Sequence, residues 1–303
     1  LRDEHASRTA ELVCFCRALD QHRAPAERLV DDPYAARFLT PGLRLALGAV
    51  AASGRVGRWA EEVLAPRVPG LEGVASALAP PIVTYILVRH RFIDDALLAA
   101  LARGLEQVVL LGAGYDARAE RFREALAGRP VFELDFPSTS RRKARLLGRE
   151  AEGVLRVEVD FRREGPAEAL ARTSFSPKRP TFFIWEGVSM YLPRRTVQDT
   201  LRQVRGLAAP GSELAMDFWY LLDAPDLVAT AHRMTPNLLY AFGEPIVFGI
   251  HPEDLPAFAA RLEVEAVEVA DAAALTARYI RDGREVYPAV YVARLGFDAR
   301  PPA

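Results

Sequence analysis

The run Gln107-Val-Val-Leu-Leu-Gly112-Ala-Gly-Tyr-Asp116 narrows the fold more than any other stretch of the chain. Its Val and Leu residues read as a short strand buried on both faces, and Gly112 and Gly114 let the backbone turn at its end. The same plan recurs downstream. Residues 130–135, 154–160, 181–185 and 212–218 are further short, β-rich apolar runs. The segments between them, 117–127, 138–151, 166–172 and 193–208, suit helices. Strands alternating with helices predict βαβ units, a parallel sheet covered on both sides, and an α/β doubly wound, Rossmann-like fold.

The flanks differ. Residues 1–104 read as helices and loops, a helical N-terminal cap to an α/β domain spanning 105–303. Residues 9–20 have helical pattern, and Asp31-Asp32-Pro33 looks like a helix start. Phe92, Ile93, Ala96, Leu97, Ala100 and Leu101 share one helical face, with Gly104 placed to cap it. Pro66, Pro69, Pro80 and Pro81 punctuate the stretch before it. Toward the C-terminus, about 220–260 reads as an inserted cap, and 262–269 and 286–295 as two more strands.

Charge limits the partners. The 303 residues carry 39 basic and 40 acidic side chains, a formal net charge of -1. Nucleic-acid binders normally show a basic excess, so no nucleic-acid partner is expected. No run approaches the roughly 20 apolar residues of a membrane span. The apolar run 43–52 is short and contains Arg44, and the segment around Arg2, Asp3, Glu4 and Arg8 lacks the apolar core of a signal peptide. Cys14 and Cys16 are too few for a disulfide framework, and no His/Cys cluster accompanies them, so buried thiols, no metal and a reducing cytoplasm are expected.

Ligands of an open parallel sheet sit at the carboxyl ends of its strands, near the point where strand order reverses. Glu133 and Asp135, Asp160, Glu186 and Asp217 all fall in or near such positions. The glycine loop alone fits a nicotinamide dinucleotide as well as S-adenosylmethionine. Charge separates them: Asp116 would repel a pyrophosphate but suits the ammonium and sulfonium of S-adenosylmethionine. A carboxylate at the second strand tip can accept both ribose hydroxyls, and Asp135 is there, with Glu133 on the same face two residues back. Asp160 is placed to meet an adenine amino group, or simply to pair with Arg162 and Arg163.

Further segments stand in order along the chain: Ser7-Arg-Thr-Ala10, Arg17-Ala-Leu, Asp31-Asp-Pro-Tyr-Ala35, Arg89-His-Arg-Phe-Ile-Asp-Asp95, Leu111-Gly-Ala-Gly-Tyr-Asp-Ala-Arg118, Phe132-Glu-Leu-Asp-Phe-Pro137 and Trp185-Glu-Gly-Val-Ser-Met-Tyr-Leu-Pro193, with Ala209-Pro-Gly-Ser212 and Phe248-Gly-Ile250. Together they resemble the leucine carboxyl methyltransferase family and its bacterial, polyketide O-methyltransferase-type relatives. The resemblance spans nearly the whole chain in order. It implies a class I methyltransferase with a seven-stranded sheet whose last strand is antiparallel, and S-adenosylmethionine as cofactor. Arg89 would pair with the cofactor carboxylate, with Arg17 as a second partner. Gly112, Ala113, Gly114 and Asp116 would pass under the methionine moiety. Asp135 would hold the ribose, Asp160 and Phe161 would flank the adenine, and Glu186 would take the ammonium. Trp185 stands where relatives often carry a smaller residue; core packing is the favoured reading, a narrowed acceptor pocket the other.

The implied reaction is methyl transfer to a carboxylate or hydroxyl of a small, aromatic or polyketide-like acceptor. A carboxylate is ionised at neutral pH and needs no base, whereas a hydroxyl gains from one. His90, His232, His251 and Glu186 are the base candidates, and Tyr191 is expected to line the pocket. Aromatic residues between 218 and 242 could line it too. A catalytically silent or non-methylating S-adenosylmethionine-binding protein, and a nicotinamide oxidoreductase, stay open as alternatives, as do monomer and homodimer.

Overall fold

The computed structural model describes residues 8–52, 80–148, 152–161, 163–220 and 246–297. Seven strands form one sheet: β1 (Gln107–Leu111), β2 (Val131–Asp135), β3 (Val154–Glu158), β4 (Thr181–Trp185), β5 (Glu213–Trp219), β6 (Glu265–Asp271) and β7 (Val290–Gly296). Their order is β3-β2-β1-β4-β5-β7-β6. All pairs are parallel except those of β7, which runs antiparallel to both β5 and β6. This is the doubly wound sheet with an antiparallel last strand that the resemblance implied. Every residue of β1 and β4 is buried, as unbroken apolar strands under two helical layers require. The chain winds outward from β1 through β2 and β3, then returns to β4 on the other side. The strand order therefore reverses between β1 and β4, and sheets of this kind bind their ligands at the carboxyl ends there.

The N-terminal helices pack into two separate clusters. Helix α1 (Arg8–Asp20), helix α2 (Pro41–Ala52) and a 3-10 turn at Ala35–Phe38 build a small core of their own from Cys14, Phe15, Cys16, Phe38 and Leu47. That core closes on the glycine loop, where Phe38 stacks on Tyr115 with centroids 5.1 Å apart. Helix α3 (Pro80–Ala102) instead belongs to the sheet. Its Tyr85, Val88, Phe92, Ile93 and Leu97 lie in the main core with the strands. Pro80 and Pro81 open α3, where a missing N–H costs nothing. Gly104, at φ +101, ends it, with Leu105 N–H returning to the Ala100 carbonyl.

Other expectations shift for local reasons. Asp31-Asp32-Pro33 leads only into the 3-10 turn, because Asp32 spends its carboxylate on Arg17 at 2.8 Å and on the Tyr34 N–H at 3.0 Å. The helix expected at 117–127 breaks at Phe122 into α4 (Arg118–Arg121) and α5 (Arg123–Leu126). Helix α6 (Pro137–Leu147), helix α7 (Pro166–Ala171) and helix α8 (Arg194–Leu207) fall where the patterns put them. Most of the expected cap insertion, residues 221–245, lies outside the described residues. Its far end, α9 (Leu255–Ala260), packs on β6 and buries Leu255 and Phe258 in the sheet core, so it is a layer helix. Strand β6 starts later than expected, after a turn at Glu263 (φ 56). Helix α10 (Ala272–Tyr279) was not anticipated; the Asp271 carboxylate caps it by accepting the Ala274 N–H at 2.8 Å. Among the described residues no helix is long and apolar enough to cross a membrane.

Candidate functional site

The glycine loop is tied to the ends of two neighbouring strands. Gly112 and Gly114 have φ of +70 and +48, and the N–H groups of Gly112 and Ala113 both donate to the Leu134 carbonyl, at 2.9 and 3.0 Å. A Cβ on Gly112 would stand 2.7 Å from Cγ2 of Val188, so the turn has no room for a side chain. Asp135, at the tip of β2, accepts the Gly114 N–H on Oδ2 and the Phe136 N–H on Oδ1, the latter at 2.6 Å. Burial pushes its carboxyl up to about 6, against the pull of those two donors.

Glu133 takes a different path although it shares a face with Asp135. It is buried deeper in the sheet, 2.8 Å from Lys143 and 3.1 Å from Arg156. Asp160 follows β3, half-buried, with its carboxylate 3.7 Å from the largely exposed Arg163. Its carbonyl accepts the N–H groups of Arg163 and Glu164, which turns the chain and leaves Phe161 half-buried against the core.

Beside the loop lies a buried ionic core. Arg89, on α3, donates from Nε to Glu186 at 3.0 Å and from Nη1 to Asp217 at 2.9 Å. Asp217, from β5, also accepts the Tyr85 hydroxyl at 3.1 Å and the Gly187 N–H at 2.6 Å. Gly187 makes room, since a Cβ there would lie 3.3 Å from Nη2 of Arg89. Arg118 opens α4 and donates from one nitrogen, Nη1, to both Asp116 and Glu186, the second at 2.8 Å. Its Nε meets Asp94 at 2.6 Å, and its Nη2 meets the His90 carbonyl at 3.0 Å. Arg121 donates to the other Asp94 oxygen at 2.6 Å and lies 2.9 Å from Nε2 of His90. Nδ1 of His90 is 3.2 Å from both Glu186 oxygens.

Four carboxylates (Asp94, Asp116, Glu186, Asp217) thus face three guanidiniums (Arg89, Arg118, Arg121), and 3 − 4 leaves one negative charge while His90 is neutral. Burial and the adjacent Arg118 push His90 down, which keeps it neutral. Burial alone would raise the Glu186 carboxyl, but His90, Arg118 and Arg89 hold it well below the usual range. Asp116 and Asp94 are likewise held low against burial, chiefly by Arg118. This amends the charge argument made from sequence. Asp116 is matched by Arg118, so the surplus negative charge belongs to the cluster as a whole. His90, Asp116 and Glu186 each bring a potential metal ligand within 4.8 Å of the others. Nη1 of Arg118 already bridges the two carboxylates, doing there what a cation would do.

The remaining sequence candidates scatter. Arg17 is buried, donating to Asp32 at 2.8 Å and to the Tyr115 carbonyl at 2.8 Å, so it grips the glycine loop from α1. Trp185 is buried in β4, within the core. Tyr191 is half-buried against the core in the 3-10 turn Ser189–Tyr191. His251 is 37% exposed and meets the Tyr220 ring edge-on at 5.0 Å. Of the aromatic residues expected to line the pocket, Phe218, Trp219 and Tyr220 are buried in the sheet core at the end of β5, while His232, Tyr240 and Phe242 lie outside the described residues. The sequence reading assigned Asp94, Arg118 and Arg121 no part in the site and placed Asp217 only among the strand-end acids. Arg118 stood in the glycine-loop motif and Asp217 at a strand end, and those positions were the available signals.

A surplus negative charge beside the switch point, a glycine turn without room for a Cβ, and a strand-tip carboxylate fit an adenosyl cation. Together with the sheet they define the class I, S-adenosylmethionine-dependent methyltransferases. The sequence profile of the family described as Leucine carboxyl methyltransferase matches residues 10–205, and the chain belongs to that family. It is 36% identical over 245 residues to a Streptomyces coelicolor protein bearing the name "Putative S-adenosyl-L-methionine-dependent methyltransferase", covering 77% of this chain and 75% of that one. A Parafrankia relative of the same name is 35% identical, covering 76% of this chain and 68% of its own length. The fold is shared with a solved DUF574 family protein from Streptomyces avermitilis (TM-score 0.58, 17% identity, 97% of this chain and 98% of that one). The protein is an S-adenosylmethionine-dependent methyltransferase.

Proposed function

We propose that the protein methylates an oxygen, in the first place a carboxylate, of a small aromatic acceptor. Bound S-adenosylmethionine supplies an activated methyl group on a sulfonium. On this reading Asp135 holds the ribose, Glu186 takes the ammonium, and Arg89 offers the cofactor carboxylate the nitrogen that Glu186 and Asp217 leave over. Asp160 and Phe161 flank the adenine. The glycine turn carries the methionine moiety, and Arg17 acts by fixing that turn. Glu133 is left to its ion pairs, so the ribose falls to Asp135 alone.

The observation that carries the carboxylate reading is the state of the base candidates. Glu186 is held ionised by cationic partners and is a poor proton acceptor. His90 has both ring nitrogens within the network. An acceptor that arrives already ionised needs neither. What remains is to hold its oxygen in line with the methyl group, about 3 Å away, in a dry pocket. A hydroxyl acceptor is the second reading. It is favoured by His251, which keeps outside the arginine network beside Tyr220.

Incubation with methyl-labelled S-adenosylmethionine and a panel of aromatic acids and phenols tests this. Label released as methanol by mild alkali marks a methyl ester, and alkali-stable label marks an ether. Transfer to a peptide carboxylate with none to the panel would overturn the reading.

A further inference from the structure

The imidazole of His90 lies inside the protein between two arginines and a glutamate. Each ring nitrogen has a defined neighbour. On the far side Nε2 faces Nη1 of Arg121 at 2.9 Å, and an arginine can only donate. On the near side Nδ1 faces the Glu186 carboxylate, which can only accept, at 3.2 Å to each oxygen. Nη2 of Arg118 is also 2.9 Å from Nδ1, but it has the His90 carbonyl to donate to at 3.0 Å. A neutral ring that accepts at Nε2 and carries its proton on Nδ1 serves both Arg121 and Glu186, and leaves Nη2 of Arg118 to the carbonyl instead of the ring. Asp94 supports it from behind. It sits one helical turn beyond His90 on α3 and takes Nε of Arg118 and Nη2 of Arg121, each at 2.6 Å. The charged groups facing the ring are therefore Arg118 on α4, Arg121 at its end, Asp94 on α3, Asp116 in the glycine loop and Glu186 after β4, with Arg89 beyond the glutamate.

We infer that His90 is a positioning residue for the cofactor: Arg121, held by Asp94, fixes its Nδ1–H tautomer, and that N–H aims Glu186 at the cofactor ammonium. The inference rests on the reading of Glu186 given above. Its chemistry is that of an outer layer, where a histidine's second nitrogen decides what the first can do. The ring is then no base, because its one lone pair is spent on Arg121.

Nitrogen NMR of the wild-type protein labelled in histidine reads the tautomer without any variant. We expect His90 to show a protonated Nδ1 and a bare Nε2 from pH 6 to 8. An Nε2–H tautomer, or an imidazolium at pH 7, overturns the inference. Calorimetry with S-adenosylhomocysteine reads the consequence. The amide nitrogen of His90→Asn stands where Nδ1 stood and should keep binding within about threefold, whereas His90→Leu should lose about tenfold, the scale of one hydrogen bond to a charged group. The loss should appear in KM for S-adenosylmethionine and leave kcat at saturation within about twofold. Equal losses in the two variants at unchanged Tm also overturn it. Glu186→Gln separates the two claims. If it binds S-adenosylhomocysteine as tightly as wild type, the ammonium reading of Glu186 fails and the aiming role with it, while the tautomer stands on the NMR.

Discussion

Arg89 and Asp217 meet at 2.9 Å inside the protein, 128 positions apart in sequence, with side-chain exposures of 4% and 0%. The pair joins helix α3 to strand β5. Two charges so deeply buried are stable only together, and removing one strands the other in a medium that cannot solvate it. Asp217→Ala should therefore cost about 3–5 kcal/mol in urea unfolding. Arg89→Met/Asp217→Leu should cost clearly less than the sum of the single losses, because neither charge remains. Additive losses would mean that the pair contributes no coupling.

Asp135 gives a pH dependence of definite sign. Its folded-state pKa is raised from 3.8 to about 6 by burial. Between those values the folded protein holds the extra proton, so this group's contribution to stability falls as pH rises from about 4 to about 6, then levels off. Cofactor binding should run the opposite way, since ribose hydroxyls donate to the ionised form. S-adenosylhomocysteine affinity should increase about tenfold per pH unit below 6 and plateau above. Asp135→Asn should flatten that profile and weaken binding by about tenfold or more. A wild-type profile flat from pH 4.5 to 7 would remove Asp135 from the ribose.

The sheet was legible because most strands are short, β-rich apolar runs closed by turn residues, and length with those flanking turns places such runs. Helix α3 was only half legible. Its second half shows a helical stripe, while Pro80 and Pro81 read as breaks although they open the helix. The site was legible where it follows the chain: Gly112, Asp116, Asp135 and Glu186 occupy strand ends. It was not legible where partners come from different elements. Glu133 and Asp135 look alike in sequence, and only the positions of Lys143 and Arg156 separate them. Asp217 could be seen as a strand-end acid, but its partners Arg89 and Tyr85 lie on a helix far upstream. His90 stood among the base candidates, and its two arginine neighbours argue against that role.

Cys14 and Cys16 are fully buried, and burial pushes both thiols up to about 12. A thiol reagent needs the thiolate and access to it, and these positions offer neither. Native protein at pH 8 should react with Ellman's reagent at well under a tenth of the rate seen in guanidinium, where both thiols should titrate. Fast labelling of the native protein would show that α1 opens from the glycine loop on the timescale of the assay.

Gly112 couples the loop after β1 to the loop after β4. An alanine there faces two separate penalties. Its Cβ would stand 2.7 Å from Cγ2 of Val188, and its φ of +70 is strained for any residue with a Cβ. Val188 is two residues beyond Glu186, so relieving the clash by moving that loop would shift the carboxylate as well. Gly112→Ala should cost about 1–3 kcal/mol of stability and weaken S-adenosylhomocysteine binding by more than tenfold. Val188→Ala removes the clashing methyl but not the backbone strain. The double variant Gly112→Ala/Val188→Ala should then recover most of the lost affinity while staying about 1 kcal/mol less stable than Val188→Ala alone. If Val188→Ala rescues nothing, the two loops are not coupled through this contact, and the loss of binding comes from the turn's own distortion.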